Sequence, residues 1–211
     1  MNEYTLLQRA EFYNVSFPKY SKYAWLQASD RWLWGIWSIG NNYKGSGYYG
    51  SYPPRYLDRV RSMFPDRDSV LHLFSGSLKP MNGEYRFDLV QPAEFNGDAH
   101  ELSAIVGEEE YDLVIADPPY SAEDADHYGT PMVNRNKVVQ ECVKVLKKGG
   151  FLIWLDQTLP MYRKEELNRC ISIGVERSTN HRFRQLVGWK KPLRGADRQS
   201  EEIIRREGEG I

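Results

Sequence analysis

Short apolar runs recur along the chain and alternate with segments of helical periodicity. Six segments are predicted to be strands: residues 70–74, 85–87, 111–116, 151–155, 172–175 and 184–189. The runs at 70–74, 111–116 and 151–155 are apolar almost throughout, which is typical of strands that are buried on both faces of a parallel sheet. The sequence therefore predicts an α/β fold whose sheet is mostly parallel.

Helical patterns separate several of these strands. Pro53 and Pro54 suit the start of a helix, which Pro65 would end. A second helix carries Val138, Val139, Cys142, Val143 and Leu146 on its apolar side and is expected to end at residues 147–150. Residues 165–170 suit a further helix. Helices of this kind are expected on both faces of the sheet, and ligands are expected beyond the carboxyl ends of its strands.

The beginning of the chain differs in composition from the rest. Residues 1–56 contain four of the six tryptophans and nine of the fourteen tyrosines. We divide the chain into an aromatic-rich segment, residues 1–50, and a main α/β domain, residues 51–211. The first segment either packs on the core or contacts the substrate, and the glycine-punctuated tyrosines at 43–52 would suit base stacking.

Charge and cysteine content narrow the classes of function. The net charge is −1, so no overall positive field indicates a nucleic-acid partner. Cys142 and Cys170 have no spacing typical of a zinc site or a disulfide framework, and we expect both to be buried apolar positions and no metal to be bound. No run of about 18 apolar residues and no signal-peptide pattern occurs, so we expect a cytoplasmic protein without a membrane partner.

The strongest chemical signal is the tetrad Asp117-Pro118-Pro119-Tyr120, directly after the strand at 111–116. The two prolines stiffen the backbone and remove two N–H donors, so that carbonyls and a carboxylate face one spot beside an aromatic ring. Asp117 and the Pro118 carbonyl would accept hydrogen bonds from an exocyclic amine, and Tyr120 would stack on the base.

This tetrad resembles the [DNS]-P-P-[YFW] signature of S-adenosylmethionine-dependent amino-methyltransferases that act on nucleic acids. The resemblance covers roughly residues 50 to 190 and implies a Rossmann-like methyltransferase fold, with residues 51–211 as the methyltransferase domain. Aspartate with tyrosine is commonest in N6-adenine enzymes, and the short chain is similar to small phage-type or orphan members. The implied catalytic residues are Asp117, Pro118, Pro119 and Tyr120. The implied reaction is direct methyl transfer to the N6 amine of a flipped adenine in DNA.

The resemblance also implies positions for the cofactor. These are Ser51 and Tyr52, the glycine turn Phe74, Ser75, Gly76 and Ser77, then Asp88 for the ribose hydroxyls, Asp98 and Ala99 for the adenine, and Asp117. Leu78 stands where the family has the last glycine of its turn, and residues 79–83 leave little room for the helix that normally follows. The methionine end of the cofactor is therefore expected to be held in a different way.

Nucleic-acid contacts are expected from the C-terminal region, where residues 177–206 hold nine Lys or Arg against three acids. The expected contact residues are Tyr120, Arg182, Arg184, Lys190, Lys191 and Arg194. The same tetrad is compatible with methylation of RNA at adenine N6 or guanine N2, or of cytosine N4 in DNA. A different class of function is a nucleic-acid-binding subunit that has the methyltransferase fold but no catalytic activity. Leu78, in place of the last glycine of the turn, would favour this second class.

Overall fold

The computed structural model describes residues 3–18, 25–40, 52–177 and 183–193. The strands within these ranges are β1 Leu26–Ala28, β2 Leu33–Ile39, β3 Val70–Leu73, β4 Glu84–Asp88, β5 Phe95–Asn96, β6 Tyr111–Ala116, β7 Leu146–Asp156, β8 Asn168–Arg177 and β9 Phe183–Lys190. The helices are α1 Leu6–Ser16, α2 Tyr56–Met63, α3 Leu102–Val106, α4 Ala122–Tyr128 and α5 Arg135–Val145, and a 3₁₀ turn spans Ala99–Glu101. None of the described helices is long and apolar enough to span a bilayer.

The strands form one mixed sheet of nine strands, in the order β1-β2-β8-β9-β7-β6-β3-β4-β5. Strands β5, β4, β3, β6 and β7 are parallel, β9 is antiparallel to both β7 and β8, and β2 is parallel to β8. If the five parallel strands β3 to β7 are renumbered 1 to 5 along the chain, their order in the sheet is 3-2-1-4-5, as in a doubly wound sheet. The fold is therefore α/β with a mostly parallel sheet and is compatible with a Rossmann-like fold.

Helices cover both faces of this sheet. Side chains on a strand alternate between the two faces, so consecutive residues of one strand pack against different helices. Leu113 and Ile115 of β6 pack in the core that also contains residues of α1 and α2. Val114 and Ala116 pack in the opposite core, with residues of α3 and α5. The prediction of a covered sheet is confirmed, and Cys170 and Cys142 are buried free thiols, one in each core.

The six predicted strands all form, and α2 ends before Pro65 as expected. The prediction of a helix at residues 165–170 is wrong, because β8 begins at Asn168 and pairs with β9 on one side and β2 on the other. Hydrogen bonds to two neighbouring strands outweigh a weak helical period. The predicted helix end at 147–150 is also wrong: α5 ends at Val145, and those residues already belong to β7.

The described part of the N-terminal segment extends the main sheet. Strand β2 lies beside β8, and its Trp37 is fully buried and stacks on Tyr13 of α1 with ring centroids 5.5 Å apart. Trp32 and Trp34 remain 41% exposed. Apart from Tyr52, the tyrosine-rich loop at 43–52 lies outside the described residues.

Candidate active site at the carboxyl edge of the sheet

The sheet register brings three of the predicted residues into one row. Leu73 of β3 is paired with Phe87 of β4 and with Ala116 of β6. Phe74, Asp88 and Asp117 each follow one residue later, at the carboxyl edge of the sheet. Neighbouring strands are about 4.8 Å apart, so Asp88 and Asp117 are separated by about 10 Å across β3. The glycine turn, Asp88 and the tetrad therefore share one edge.

The tetrad is held in a compact turn by contacts at both ends. The Tyr120 hydroxyl donates a hydrogen bond to Oδ1 of Asp117. Nη2 of Arg135 donates to the carbonyl oxygens of Pro119 at 3.2 Å and of Tyr120 at 3.1 Å. Within the described ranges the Pro118 carbonyl accepts no hydrogen bond. The Asp117 carboxylate and the Pro118 carbonyl therefore keep acceptor capacity that the described residues do not use.

Arg135 also connects the tetrad to the end of β7. Its Nε lies 2.6 Å from Oδ2 of Asp156, a side chain with no exposed surface. Asp156 accepts further hydrogen bonds from Nε1 of Trp154 at 3.3 Å and from the backbone N–H of Gln157 at 2.7 Å. This ion pair was missed at the level of sequence. Arg135 is the first residue of α5, where the helix dipole favours an acid, and that mismatch was the available signal.

The charges around Asp117 set its protonation. Burial raises the pKa of Asp117 to about 6, against the effects of the Arg184 charge, the Tyr120 hydrogen bond and Arg177. Asp156 contributes in the same direction as burial, because a second negative charge disfavours ionisation. Asp117 is therefore a carboxylate at neutral pH, but one that gains a proton in weakly acidic solution.

Arg184 is the nearest charged neighbour of the tetrad on β9. Its guanidinium carbon lies 4.1 Å from the centroid of the Tyr120 ring, and only 8% of the residue is exposed. Its Nε is buried and has no hydrogen-bond partner among the residues that the structure describes. Because β9 is antiparallel to β7, its first residues lie at the same edge as Asp117. Arg184 therefore lies at the tetrad itself.

The turn between β3 and β4 has an unusual backbone. Phe74 has a φ of 61° and Gly76 a φ of 54°, which is a conformation that non-glycine residues rarely adopt. The Gly76 N–H donates to Oδ2 of Asp88 at 2.8 Å. The Ser75 hydroxyl is buried and has no hydrogen-bond partner in the described part of the chain. Leu78 packs against the core on the α1 and α2 face, and in this part of the structure no helix separates β3 from β4.

The remaining positions that were predicted to bind the cofactor flank this turn. Oδ1 of Asp88 accepts from the backbone N–H groups of Val90 and Gln91, so the carboxylate has a fixed orientation. Asp98 lies two residues after β5, caps the 3₁₀ turn and accepts from the backbone N–H of His100 at 2.9 Å, and Ala99 is buried. Ser77 follows Gly76 in the turn. All of them belong to the carboxyl edge of β3, β4 and β5.

Tyr52 lies near the end of β6. Its hydroxyl is 3.4 Å from the carbonyl oxygen of Ile115 and 3.5 Å from Nδ1 of His72. Its ring stacks on the Tyr56 ring with centroids 5.6 Å apart. Burial, and then the negative charge of Asp117, raise the pKa of Tyr52 well above its usual value. Ser51, the other residue of this predicted motif, lies outside the described residues.

The predicted basic residues are not brought together. Lys190 ends β9 at the opposite edge from Arg184, about 20 Å away along the strand, and pairs with Glu3 at 3.0 Å. Lys191 pairs with Glu109 at 3.3 Å. Arg182 and Arg194 lie outside the described residues. Of these predicted phosphate contacts, the structure places Arg184 beside the tetrad and does not place Lys190 and Lys191 there.

Comparison with known proteins assigns no role to these residues. No protein-family model matches the chain, and no curated protein matches it either.

Proposed function

We propose that the chain is an S-adenosylmethionine-dependent methyltransferase that methylates the N6 amine of adenine in DNA. The observation that carries the proposal is the tetrad at the end of β6, which presents the Asp117 carboxylate and the Pro118 carbonyl as acceptors beside the Tyr120 ring. Arg135 occupies the carbonyls of Pro119 and Tyr120 in the same turn.

These acceptors suit an amine whose lone pair is delocalised into a ring. Hydrogen bonds from its two N–H groups to Asp117 and to the Pro118 carbonyl return electron density to the nitrogen and hold it in position. When bound, S-adenosylmethionine would supply an electrophilic methyl group: the amine nitrogen attacks this methyl in line, the neutral thioether of S-adenosylhomocysteine leaves, and the amine gives up one proton, which the Asp117 carboxylate that accepts its hydrogen bond can take up. The chain supplies position and charge, and the reaction needs no covalent intermediate with the protein.

The turn between β3 and β4 offers a fit for this cofactor. The unpartnered Ser75 hydroxyl and the positive φ of Gly76 allow a close polar contact with a ligand at the turn. Residues 74–77 would hold the methionine end, Asp88 the ribose hydroxyls, and Asp98 with Ala99 the adenine, while Tyr52 would close the side nearest β6. The likeness of these positions to the methyltransferase motifs supports the assignment.

The rate of methyl transfer is expected to depend on pH through Asp117. Its pKa of about 6 makes the acceptor carboxylate the main form above pH 6, and protonation below it converts an acceptor into a donor. We predict that log kcat/KM falls with a slope of one below about pH 6. Arg184→Gln removes a positive charge that lowers this pKa, so the acidic limb should move up by about one pH unit.

Arg184→Lys is the control for this profile, because it keeps the charge and loses the planar group over Tyr120. Its acidic limb should stay near that of the wild type even if its rate falls. An acidic limb at the same pH in wild type and Arg184→Gln would show that Arg184 does not act on Asp117.

Two alternatives are separated by a transfer assay. The chain is incubated with S-adenosylmethionine that carries a labelled methyl group and with duplex DNA, single-stranded DNA or total RNA. Competition between ribo- and deoxyribo-oligonucleotides then ranks the acceptors. Label in DNA at adenine N6 is expected. Label in RNA, or at cytosine N4, would redirect the proposal to those substrates. The partly buried Leu78 and the lack of a helix between β3 and β4 in this described part of the chain favour a non-catalytic binding subunit as the second candidate. No label together with no binding of S-adenosylmethionine would support it.

A further inference from the structure

The hydroxyl of Tyr56 is a buried donor without a partner. The residue has no exposed surface, and none of the described residues forms a hydrogen bond with its hydroxyl. Buried hydroxyls are normally paired, so an unpaired one at a ligand site indicates a contact that the ligand completes. Another buried tyrosine of the same core, Tyr13, illustrates the usual case, because Nη1 of Arg59 donates to its hydroxyl at 2.6 Å.

Tyr56 lies near the end of β6, the strand that precedes the tetrad. It is the first residue of α2 and stacks on Tyr52, whose hydroxyl contacts the carbonyl of Ile115, two residues before Asp117. Side chains of β6 alternate between the two faces of the sheet, so Asp117 lies on the same face as Leu113 and Ile115. This is the face that α2 covers. Burial is the main reason that the pKa of Tyr56 lies well above its usual value. The negative charge of Asp117 raises this pKa further, and the positive charge of Arg184 lowers it.

Arg184 belongs to the same face. On β9 it alternates with Leu186, which packs in the core that contains Tyr56. Its buried Nε also has no partner. One small region at the end of β6 therefore combines two acceptors, Asp117 and the Pro118 carbonyl, with two unpaired donors.

This donor and acceptor pattern is complementary to an amine that is attached beside a ring nitrogen. We propose that the Tyr56 hydroxyl donates a hydrogen bond to the ring nitrogen next to the target amine, N1 in adenine, while Asp117 and the Pro118 carbonyl accept from the amine. The proposal rests on the proposed function, because it takes the target base as the ligand. Of the two donors, the neutral hydroxyl suits this role better, since a cationic donor at N1 would withdraw more electron density from the amine.

The test is equilibrium binding of two nucleosides to the full chain in the presence of S-adenosylhomocysteine. 2′-Deoxyadenosine carries the N1 acceptor, and 1-deaza-2′-deoxyadenosine has a C–H group in its place. A single hydrogen bond predicts that the wild type prefers 2′-deoxyadenosine by roughly fivefold to tenfold, as measured by NMR titration. Tyr56→Phe should bind 2′-deoxyadenosine more weakly by the same factor and show no preference.

A matched control is Tyr13→Phe, which removes a hydroxyl that is already paired within the fold. It should lower the thermal midpoint and keep the preference, whereas Tyr56→Phe should leave the midpoint unchanged or raise it, because its hydroxyl has no partner to lose. Equal binding of both nucleosides by the wild type, no binding of either, or a full preference in Tyr56→Phe would overturn the inference. A chain with the preference but without methyl transfer would refute only the proposed function, and methyl transfer without the preference would refute only the inference.

Discussion

Asp117→Ala is expected to lower kcat/KM for methyl transfer by at least about a hundredfold to a thousandfold, which is the typical loss when one group that stabilises developing charge is removed. The carboxylate is one of the two acceptors that the tetrad presents, and the Pro118 carbonyl alone cannot hold both N–H groups of an amine. Binding of S-adenosylmethionine, measured by calorimetry, should fall far less than the rate, because residues 74–77, Asp88 and Asp98 are the other positions expected to hold the cofactor. A near-normal rate would refute the assignment.

Asp117→Asn distinguishes this loss from a folding defect. The folded-state pKa of Asp117 is raised to about 6, so its protonated form favours the fold, and that contribution is lost as the pH rises toward 6. At pH 7.5 the neutral amide avoids the cost of a buried charge and should raise the free energy of unfolding by about 1–3 kcal/mol. Below pH 4 the difference should vanish. Lost activity with gained stability would mark a functional carboxylate, and equal destabilisation at both pH values would argue for a structural one.

Arg135→Met should have the largest effect on stability. The substitution leaves the fully buried Asp156 carboxylate without its cation and releases the carbonyls of Pro119 and Tyr120. Breaking a buried ion pair in this way costs about 3–5 kcal/mol. The N–H groups of Trp154 and Gln157 still donate to Asp156, so we expect the lower end of that range, about 3 kcal/mol, in urea unfolding.

The double variant Arg135→Met/Asp156→Asn separates the two roles of Arg135. With no charge left unpaired, it should recover much of the stability. Methyl transfer should stay low, because the tetrad still lacks the contacts that fix its carbonyls. Wild-type transfer by the double variant would show that Arg135 has only a structural role.

Local sequence patterns predicted those parts of the molecule whose structure is set by neighbouring residues. Strand β6 forms over the predicted residues, since a buried apolar run bounded by prolines leaves few alternatives. Asp88 and Asp117 then follow from the topology, because parallel strands end at one edge. The positive φ of Gly76 likewise agrees with the prediction of a turn after β3.

Features that depend on distant residues were not predictable in this way. The helix predicted at residues 165–170 fails because β8 is paired on both sides, by strands that lie far away in the sequence. Trp37 is buried while Trp34, three residues earlier, is exposed, because only one face of β2 meets α1. The contacts of Arg135 with Asp156, and of Tyr56 with Trp37, likewise arise only when separate elements pack together.

The identity of the nucleoside that receives the methyl group tests whether the chain methylates adenine N6 in DNA. Wild-type chain and Asp117→Ala are incubated with labelled S-adenosylmethionine and unmethylated DNA, single-stranded and duplex, and the digested nucleosides are identified by mass. We predict N6-methyl-2′-deoxyadenosine with the wild type and none above background with Asp117→Ala. The absence of any methylated nucleoside with the wild type, or equal amounts with both proteins, would contradict it.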